Sequence, residues 1–563
     1  NLTGIEFVES NSRYYPLGDF CSYVVGYAKS YNDQSVKKMV GEMGLELSYD
    51  KQLKGKNGYK VYQTDANGYA LVDGTLREKD PTNGNDLYLT IDSGLQRNLD
   101  YLMSNAYSES GAEVVTAGVM EIKTGKILAM STYPSFNPNE RNISTFNNYF
   151  LEGTIECGSV FKPFIYADSI EEGKYDHSAY YNSGSYNVYY GNKLVATIKD
   201  HNGGQGWGTI TYDQGLYHSS NVAICNLLDQ GYVTKDVLTE KLNDLGFFQG
   251  DTVDGLTCSS SINAYTRKNA GRLEYLTTGF GQGSTVTPYQ LLKAYSVFGN
   301  DGKTVQPHIV DKVVNPKTNK VVYQATPKYS KQIFSTNTIS QVKDLMLGVI
   351  EDEQGTGKTY RLDNDVRMIG KTGTGQVVEN GGYSTTLYMH SFVGIAPYDD
   401  PQVVMFLTFK SGDSYAQYMP NIVKQTMNEA LQVVNRYNAK NTTAVDQSYT
   451  LDSYTNQSVN YVKSKLESKS LSVQIIGNGS SVIEQYPLAK SKVTSGDKVF
   501  IKTEGKDITL PNLIGWSKKE VQTYASLAGI QLTIDGTSGH VTAQSVGENT
   551  VVHSGDNLTV AIS

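Results

Sequence analysis

Three observations predict a multidomain α+β architecture. The chain has 563 residues, too many for one core, and its 39% hydrophobic content suits ordinary globular packing. In its middle, strand-like alternation flanks a stretch of helical periodicity, the pattern of an antiparallel sheet packed with helices. Near the C-terminus "SGDKVFI" at Ser495 returns as "SGDNLTV" at Ser554, 59 residues on, which predicts a duplicated small unit.

The order of elements follows. Residues 1–83 are rich in Gly, Tyr and charge with short β-like runs such as "GYKVYQT", and read as an irregular, β-rich module. A boundary falls at "KDPTNGNDLYLTID", where turn residues precede a strand over Leu87 to Ile91. Residues 84–440 form the central α+β domain. It opens with a hairpin, "EVVTAGVMEIKTGKILAMSTYPSF", turning at Lys123 to Lys126. Helices are predicted in "KPFIYADSIEEG", "QLLKAYSVFGN" and "TISQVKDLMLGVIED", and strands return in "MIGKTGTGQVV" and "HSFVGIAPYDDPQVVMFLTFK". A polar linker, "NAKNTTAVDQSYT", leads to two units, 449–505 and 506–563. Gln485 and Gln544 keep the repeat offset, as do Val462 and Val521, and each unit reads as a helix followed by two or three strands.

Bulk properties exclude several classes. Net charge is −8 without a basic cluster, so nucleic acid is not an expected partner. No run of 18 apolar residues spans a membrane, and no signal peptide is visible. The chain starts at Asn1 in mid-pattern, as a fragment that has lost an N-terminal anchor would. Four cysteines without a CxxC exclude a disulfide scaffold, and Cys21, Cys225 and Cys258 read as small buried hydrophobes.

The chemistry begins at "ECGSVFKPF". Ser159 and Lys162 lie one helical turn apart, at a helix start whose free N–H groups favour negative charge. A serine needs a base, and a buried lysine of lowered pKa is one. SxxK alone is weak evidence. Two further motifs strengthen it: Ser219-Ser220-Asn221, an SxN, and Lys371-Thr372-Gly373-Thr374 on an apparent strand. The glycines of "GFGQG" lack the βαβ setting of a nucleotide loop.

In order, SxxK, SxN and KTG resemble the signature of the penicillin-recognising serine acyltransferases. "SRYYPLGDF" and "GLELSYDKQLKG" resemble the pedestal of class B penicillin-binding proteins, and "TTGFGQGSTVTPYQLLKAYSVFGNDGKTVQPHIV" resembles the segment these enzymes carry before KTG. "LPNLIGWSKKEV" resembles a PASTA module, the first repeat being more degenerate. The resemblance implies a β-rich pedestal, a transpeptidase domain and two PASTA-like domains. It implies that Ser159 attacks the penultimate D-alanine carbonyl of a peptidoglycan stem with Lys162 as base. Ser219 would relay a proton to the leaving amine, Asn221 would hold the substrate amide, and Lys371 would supply positive charge. Thr372 and Thr374 would bind the carboxylate. Gly373 would let the substrate backbone lie flat on its strand. The N–H groups of Ser159 and Thr374 would form the oxyanion hole. β-Lactams would trap Ser159. Implied partners are stem peptides and membrane proteins of the elongation or division machinery, on the extracytoplasmic face of a bacterial membrane.

One departure from the family pattern adds an expectation. Relatives commonly carry proline where this chain has Cys157, and the family fold would bring Cys157 near His218. Asp200 and His201 lie in a loop before SxN. Cys157, Asp200, His201 and His218 are types that bind zinc tetrahedrally, so a structural Zn²⁺ is expected at the cleft edge. The plainer alternative is that Cys157 fills the space of a proline. Two other functional readings stand beside the transpeptidase: a β-lactam sensor or wall-binding scaffold acylated without turnover, and a serine β-lactamase.

Overall fold

The structure, a computed structural model, describes residues 12–562 except 34–35, 68–69, 363–365, 380, 442–448, 468, 470, 494–496 and 537–539. Most of the linker and Ser495 of the repeat therefore lie outside the described residues. The chain forms two compact units, Asn1–Tyr14 with Asp19–Arg436, and Tyr15–Gly18 with Tyr437–Ser563. Among the described residues no helix is long and apolar enough to cross a membrane.

The first unit begins with two antiparallel ribbons, Tyr27–Asp33 with Val36–Met43 and Tyr59–Thr64 with Ala70–Lys79. Asp86–Leu89 is a strand, ending two residues before the predicted limit, and pairs with Val310–Asn315. The main sheet has five antiparallel strands in the order Ile369–Glu379, Gly382–Ala396, Val403–Ser411, Val114–Glu121, Ile127–Tyr133. The KTG strand is thus an edge strand. Val403–Ser411 sits in the middle and is buried almost throughout, as a near-continuous apolar run dictates.

Helix Lys162–Glu171 runs through the core beside helix Thr336–Glu351. Every residue from Lys162 to Ile170 is buried, so it has no solvent face. Phe164 anchors it, with ring centroids 5.0–5.8 Å from Tyr295, Phe247, Phe298 and Phe161. Truncating such a ring costs about 3–5 kcal/mol. This packing fixes the turn that carries Ser159.

In the second unit each repeat opens with a two-residue strand ahead of its helix, Tyr449–Thr450 or Ile508–Thr509, and among the described residues four strands follow the helix where two or three were expected. Strand Lys498–Thr503 lies between a parallel neighbour, Ser472–Ile476, and an antiparallel one, Val482–Tyr486. Asn557–Ile562 does the same between Gln531–Asp535 and Val541–Gln544. The repeated residues do repeated work. Gln485 accepts from Tyr454 N and Gln544 from Leu513 N, each at 2.7 Å, and each donates to nearby carbonyls. Val462 and Val521 are both fully buried. Ile476 and Phe500 of the first repeat share a core with Trp516 and Tyr524 of the second, and Lys498 Nζ lies 3.8 Å from the Trp516 ring centroid. Sharing a core suits units near the lower size limit for independent folding.

Candidate active site

Ser159 sits in a short 3-10 turn, Gly158–Phe161, that runs directly into helix Lys162–Glu171. Residues three apart eclipse in a 3-10 turn, which keeps Ser159 and Lys162 on one face. The turn is clamped. Val160 and Phe161 are buried, Tyr295 Oη donates to the Val160 carbonyl, and Gly158 N donates to Gly281 O at 3.0 Å. Gly158 has φ +60°, and a Cβ there would meet Thr374 O at 2.3 Å, so the nucleophile turn can lie against the KTG strand only with glycine at this position.

The cleft has a volume of about 730 Å³ and is lined by Ser159, Ser219, Asn221, Thr372, Gly373 and Thr374 together with Lys199, His201, Tyr360, Tyr388 and Tyr415. All three sequence motifs therefore meet in one cavity. Lys162 is fully buried; its Nζ donates to Ser219 O at 2.6 Å and Asn221 Oδ1 at 2.8 Å, and lies 3.4 Å from Ser219 Oγ. Lys371, also fully buried, donates to Ser219 Oγ at 2.7 Å and Thr372 O at 2.9 Å. Burial pulls the Lys162 pKa down to about 7, against a partial offset from Asp200. Burial, then the neighbouring Lys162 charge, puts Lys371 well below the ordinary lysine range. Two carbonyl-type acceptors use two Lys162 N–H groups, so the neutral amine keeps a lone pair for a proton.

Ser219 has φ +57°, a left-handed conformation that costs a non-glycine residue about 1–2 kcal/mol. It is held there by bonds to both lysines. Helix Asn221–Asp229 begins just after it, and the helix cap is Ser220, whose Oγ accepts from Ala223 N at 3.0 Å. Asp200 completes this end. Its Oδ1 accepts from Ser220 Oγ, Asn221 N and Val222 N at 2.7–3.1 Å, and its Oδ2 from Gly184 N at 2.8 Å. A buried carboxylate at a helix N-terminus is favoured by the free N–H groups there. Asp200 and Ser220 thus position the SxN segment, a role sequence reasoning missed. Asp200 lies 21 residues ahead of the helix start it meets, so nothing in the sequence shows that the two come together.

The KTG strand alternates as expected. Lys371 and Gly373 are buried, Thr372 is half-buried and Thr374 exposed. Thr372 Oγ1 donates to Thr356 Oγ1 at 2.9 Å. Gly373 lines the cleft and also has a packing reason to be glycine. A Cβ there would meet Cys157 O at 2.7 Å and Val160 Cγ1 at 3.0 Å, so the glycine makes room for the Ser159 turn.

The four residues expected to bind zinc do not form a ligand set. Asp200 spends both oxygens on the four donors just described. The Cys157 thiol is buried, faces Gly158 O at 3.8 Å, and is pushed up in pKa by burial, which opposes a thiolate ligand. The His218 ring stacks on Trp207 at 4.6 Å and 9°, and His201 packs near the same indole at 5.4 Å. Both histidines are lowered in pKa by burial. Among the described residues no group of three or more His, Cys, Asp or Glu side chains is arranged to hold a metal ion. The residues present do not fit the ion, because both Asp200 oxygens are taken by hydrogen bonds, burial favours a neutral Cys157 thiol, and the four side chains do not gather as a ligand set.

With this geometry, comparison with known proteins is informative. The model of the penicillin-binding protein transpeptidase domain matches residues 115–432, that of the penicillin-binding protein dimerisation domain residues 1–89, and that of the PASTA domain residues 449–505 and 508–563. The chain is 30% identical over 527 residues to stage V sporulation protein D of Bacillus subtilis, covering 90% of this chain and 78% of the relative. It is 28% identical over 431 residues to a peptidoglycan D,D-transpeptidase FtsI homolog of Mesostigma viride, covering 72% and 69% respectively. The crystal structure of penicillin-binding protein 2X from Streptococcus thermophilus superposes with a TM-score of 0.67 at 24% identity, covering 97% of this chain and 82% of that one, a likeness of fold. The chain belongs to the class B penicillin-binding proteins, with a dimerisation domain ahead of its transpeptidase domain and two C-terminal PASTA domains.

Proposed function

We propose that the protein is a serine-type peptidoglycan D,D-transpeptidase working on the outer face of a bacterial membrane. The observation that carries this reading is the convergence of two desolvated lysines on Ser219 in the cleft that holds Ser159. Neutral Lys162 takes the Ser159 Oγ proton as the oxygen bonds to the penultimate D-alanine carbonyl carbon. The N–H groups of Ser159 and Thr374 stabilise the oxyanion. The C–N bond to the terminal D-alanine then breaks, and its nitrogen receives a proton through Ser219, with Lys371 holding that hydroxyl. Thr372 and Thr374 bind the departing carboxylate. An acceptor amine next forms a C–N bond to the acyl carbon, the Ser159 ester C–O bond breaks, and the serine regains its proton. β-Lactams enter the same first step and stop at the acyl-enzyme. Wall-synthesis membrane proteins of the elongation or division machinery are the partners this activity implies.

The test is a donor pentapeptide with an added acceptor amine. Release of D-alanine with formation of cross-linked dimer supports the reading. Penicillin acylation without either product gives the sensor reading, and rapid penicillin hydrolysis gives the β-lactamase one.

A further inference from the structure

Two features beside the nucleophile are unexplained by this chemistry: the glycines of "GFGQG" and the buried carboxyl group of Glu156. The turn that carries Ser159 is wedged between two other backbones. On one side lies the KTG strand. A Cβ at Gly375 would meet Glu156 O at 1.6 Å, and one at Gly373 would meet Cys157 O at 2.7 Å. On the other side lies the GFGQG loop. Gly158 N donates to Gly281 O at 3.0 Å, and a Cβ at Gly281 would meet Gly158 O at 2.1 Å. Glycine on both sides lets three backbones touch with no side chain between them.

Glu156 reaches both neighbours. Tyr383 Oη donates to its Oε1 at 3.1 Å, and the Gly283 N–H favours its charged form. Tyr383 pairs with Val378, four residues past Thr374 on the KTG hairpin. Glu156 is 7% exposed, and among the described residues its Oε2 has no hydrogen-bond partner. A buried, half-satisfied carboxyl group lowers stability, so its place next to the nucleophile marks a role other than stability. The KTG strand needs such a tie. It is an edge strand, laddered on one side only, and its register shifts between Gln376 and Val378. Thr372 is held by Thr356, whereas Thr374 lies nearer the irregular end.

We propose that Glu156 is a positioning residue: through Tyr383 it ties the KTG hairpin to the nucleophile turn and so fixes the gap between the Ser159 and Thr374 N–H groups of the oxyanion hole. This role rests on the transpeptidase reading, which supplies Ser159 as nucleophile. Small movements there are expensive. A misplacement of about 1 Å at a reacting centre costs about 10²-fold in rate, and loss of one oxyanion donor about 10²–10³-fold.

The test uses the full chain and stopped-flow acylation over a range of penicillin concentrations, which separates the acylation rate constant from the dissociation constant of the complex before it. In Glu156→Ala and in Tyr383→Phe the rate constant should fall about tenfold or more, with the dissociation constant changed less than about twofold. Both changes break one tie, so the double variant should be no slower than Glu156→Ala. Glu156→Gln keeps an acceptor oxygen for Tyr383 and should restore most of the rate. Affinity for a boronic acid that forms a tetrahedral adduct on Ser159 should fall in parallel with the rate constant, since one adduct oxygen occupies the oxyanion hole. Tyr383 is 50% exposed, so Tyr383→Phe should fold even if Glu156→Ala does not, which circular dichroism checks. A wild type acylated at Ser159 whose Tyr383→Phe variant keeps its rate constant overturns the proposal alone. So does a loss confined to the dissociation constant, or additive losses in the double variant. A wild type that forms no Ser159 adduct overturns the transpeptidase reading and this role with it.

Discussion

Lys162 and Lys371 point their ammonium nitrogens at one hydroxyl, that of Ser219, at 3.4 and 2.7 Å. Both are fully buried, and two adjacent cations in such a site are mutually destabilising. Loss of a proton from one of the pair relieves that repulsion, which favours a neutral amine able to act as a base.

Lys162 acts as a base in its neutral form, which exists above its lowered pKa of about 7. Acylation by penicillin should rise with pH and level off above about 7, falling roughly tenfold per unit on the acid side. Lys162→Ala should slow it by about 10²–10⁴-fold. Stopped-flow acylation rates from about pH 5.5 to 8.5 check this; a flat profile would move the base elsewhere, Lys371 being next.

Asp200 holds three donors at the start of the SxN helix and a fourth, Gly184 N, while 1% exposed. Asp200→Ala leaves them unpaired and should cost about 3 kcal/mol or more, since bonds to a charged group are worth about 1.5–3 kcal/mol each. It should also slow acylation at least tenfold by releasing Ser219 and Asn221. Urea unfolding with acylation kinetics decides; a variant equal to wild type in both would remove Asp200 from the positioning of the site.

Asp168 is fully buried, and among the described residues neither of its carboxylate oxygens has a hydrogen-bond partner. Burial raises its pKa well above the usual carboxylate range, with Glu171 and Glu172 adding and Lys241 opposing. The folded state thus holds a proton that the unfolded chain loses above about pH 4. The sign follows: stability from this group is full below the unfolded pKa and declines as pH rises toward the folded value. Asp168→Leu should raise the melting temperature, and more at pH 8 than at pH 4. An equal gain at both pH values, or a loss at pH 8, would count against the assignment.

Chelation tests the zinc expectation. With the Asp200 oxygens taken by hydrogen bonds and no ligand set formed by Cys157, Asp200, His201 and His218, the melting temperature should be unchanged by chelator. About one zinc per chain by elemental analysis, lost in Cys157→Ser, would show that these residues rearrange around an ion.

Much of the site was legible because its chemistry sits in short motifs. Ser159, Lys162, Ser219, Asn221 and Lys371 needed only residue type and spacing, and a resemblance placed them together. The repeat was legible through Gln485 and Gln544, whose identical bonding needs identical side chains. What the sequence hid were contacts set by folding. Asp200 is one residue from His201, and ligand chemistry suggested both; only the packed structure shows its oxygens turned to a helix end. His218 is a ligand by residue type, yet its ring is stacked on Trp207 and the described residues gather no metal-ligand group around it. Gly373 reads as space for a substrate on a bare strand; that Cys157 and Val160 also pack close against it is a tertiary fact.

The central claim is that Ser159 is the nucleophile, and intact mass after penicillin treatment tests it most directly. One adduct per chain, mapped to the peptide containing Ser159 and absent from a folded Ser159→Ala variant, is the predicted result. An unlabelled wild type, or stoichiometric labelling of Ser159→Ala at another residue, would contradict it.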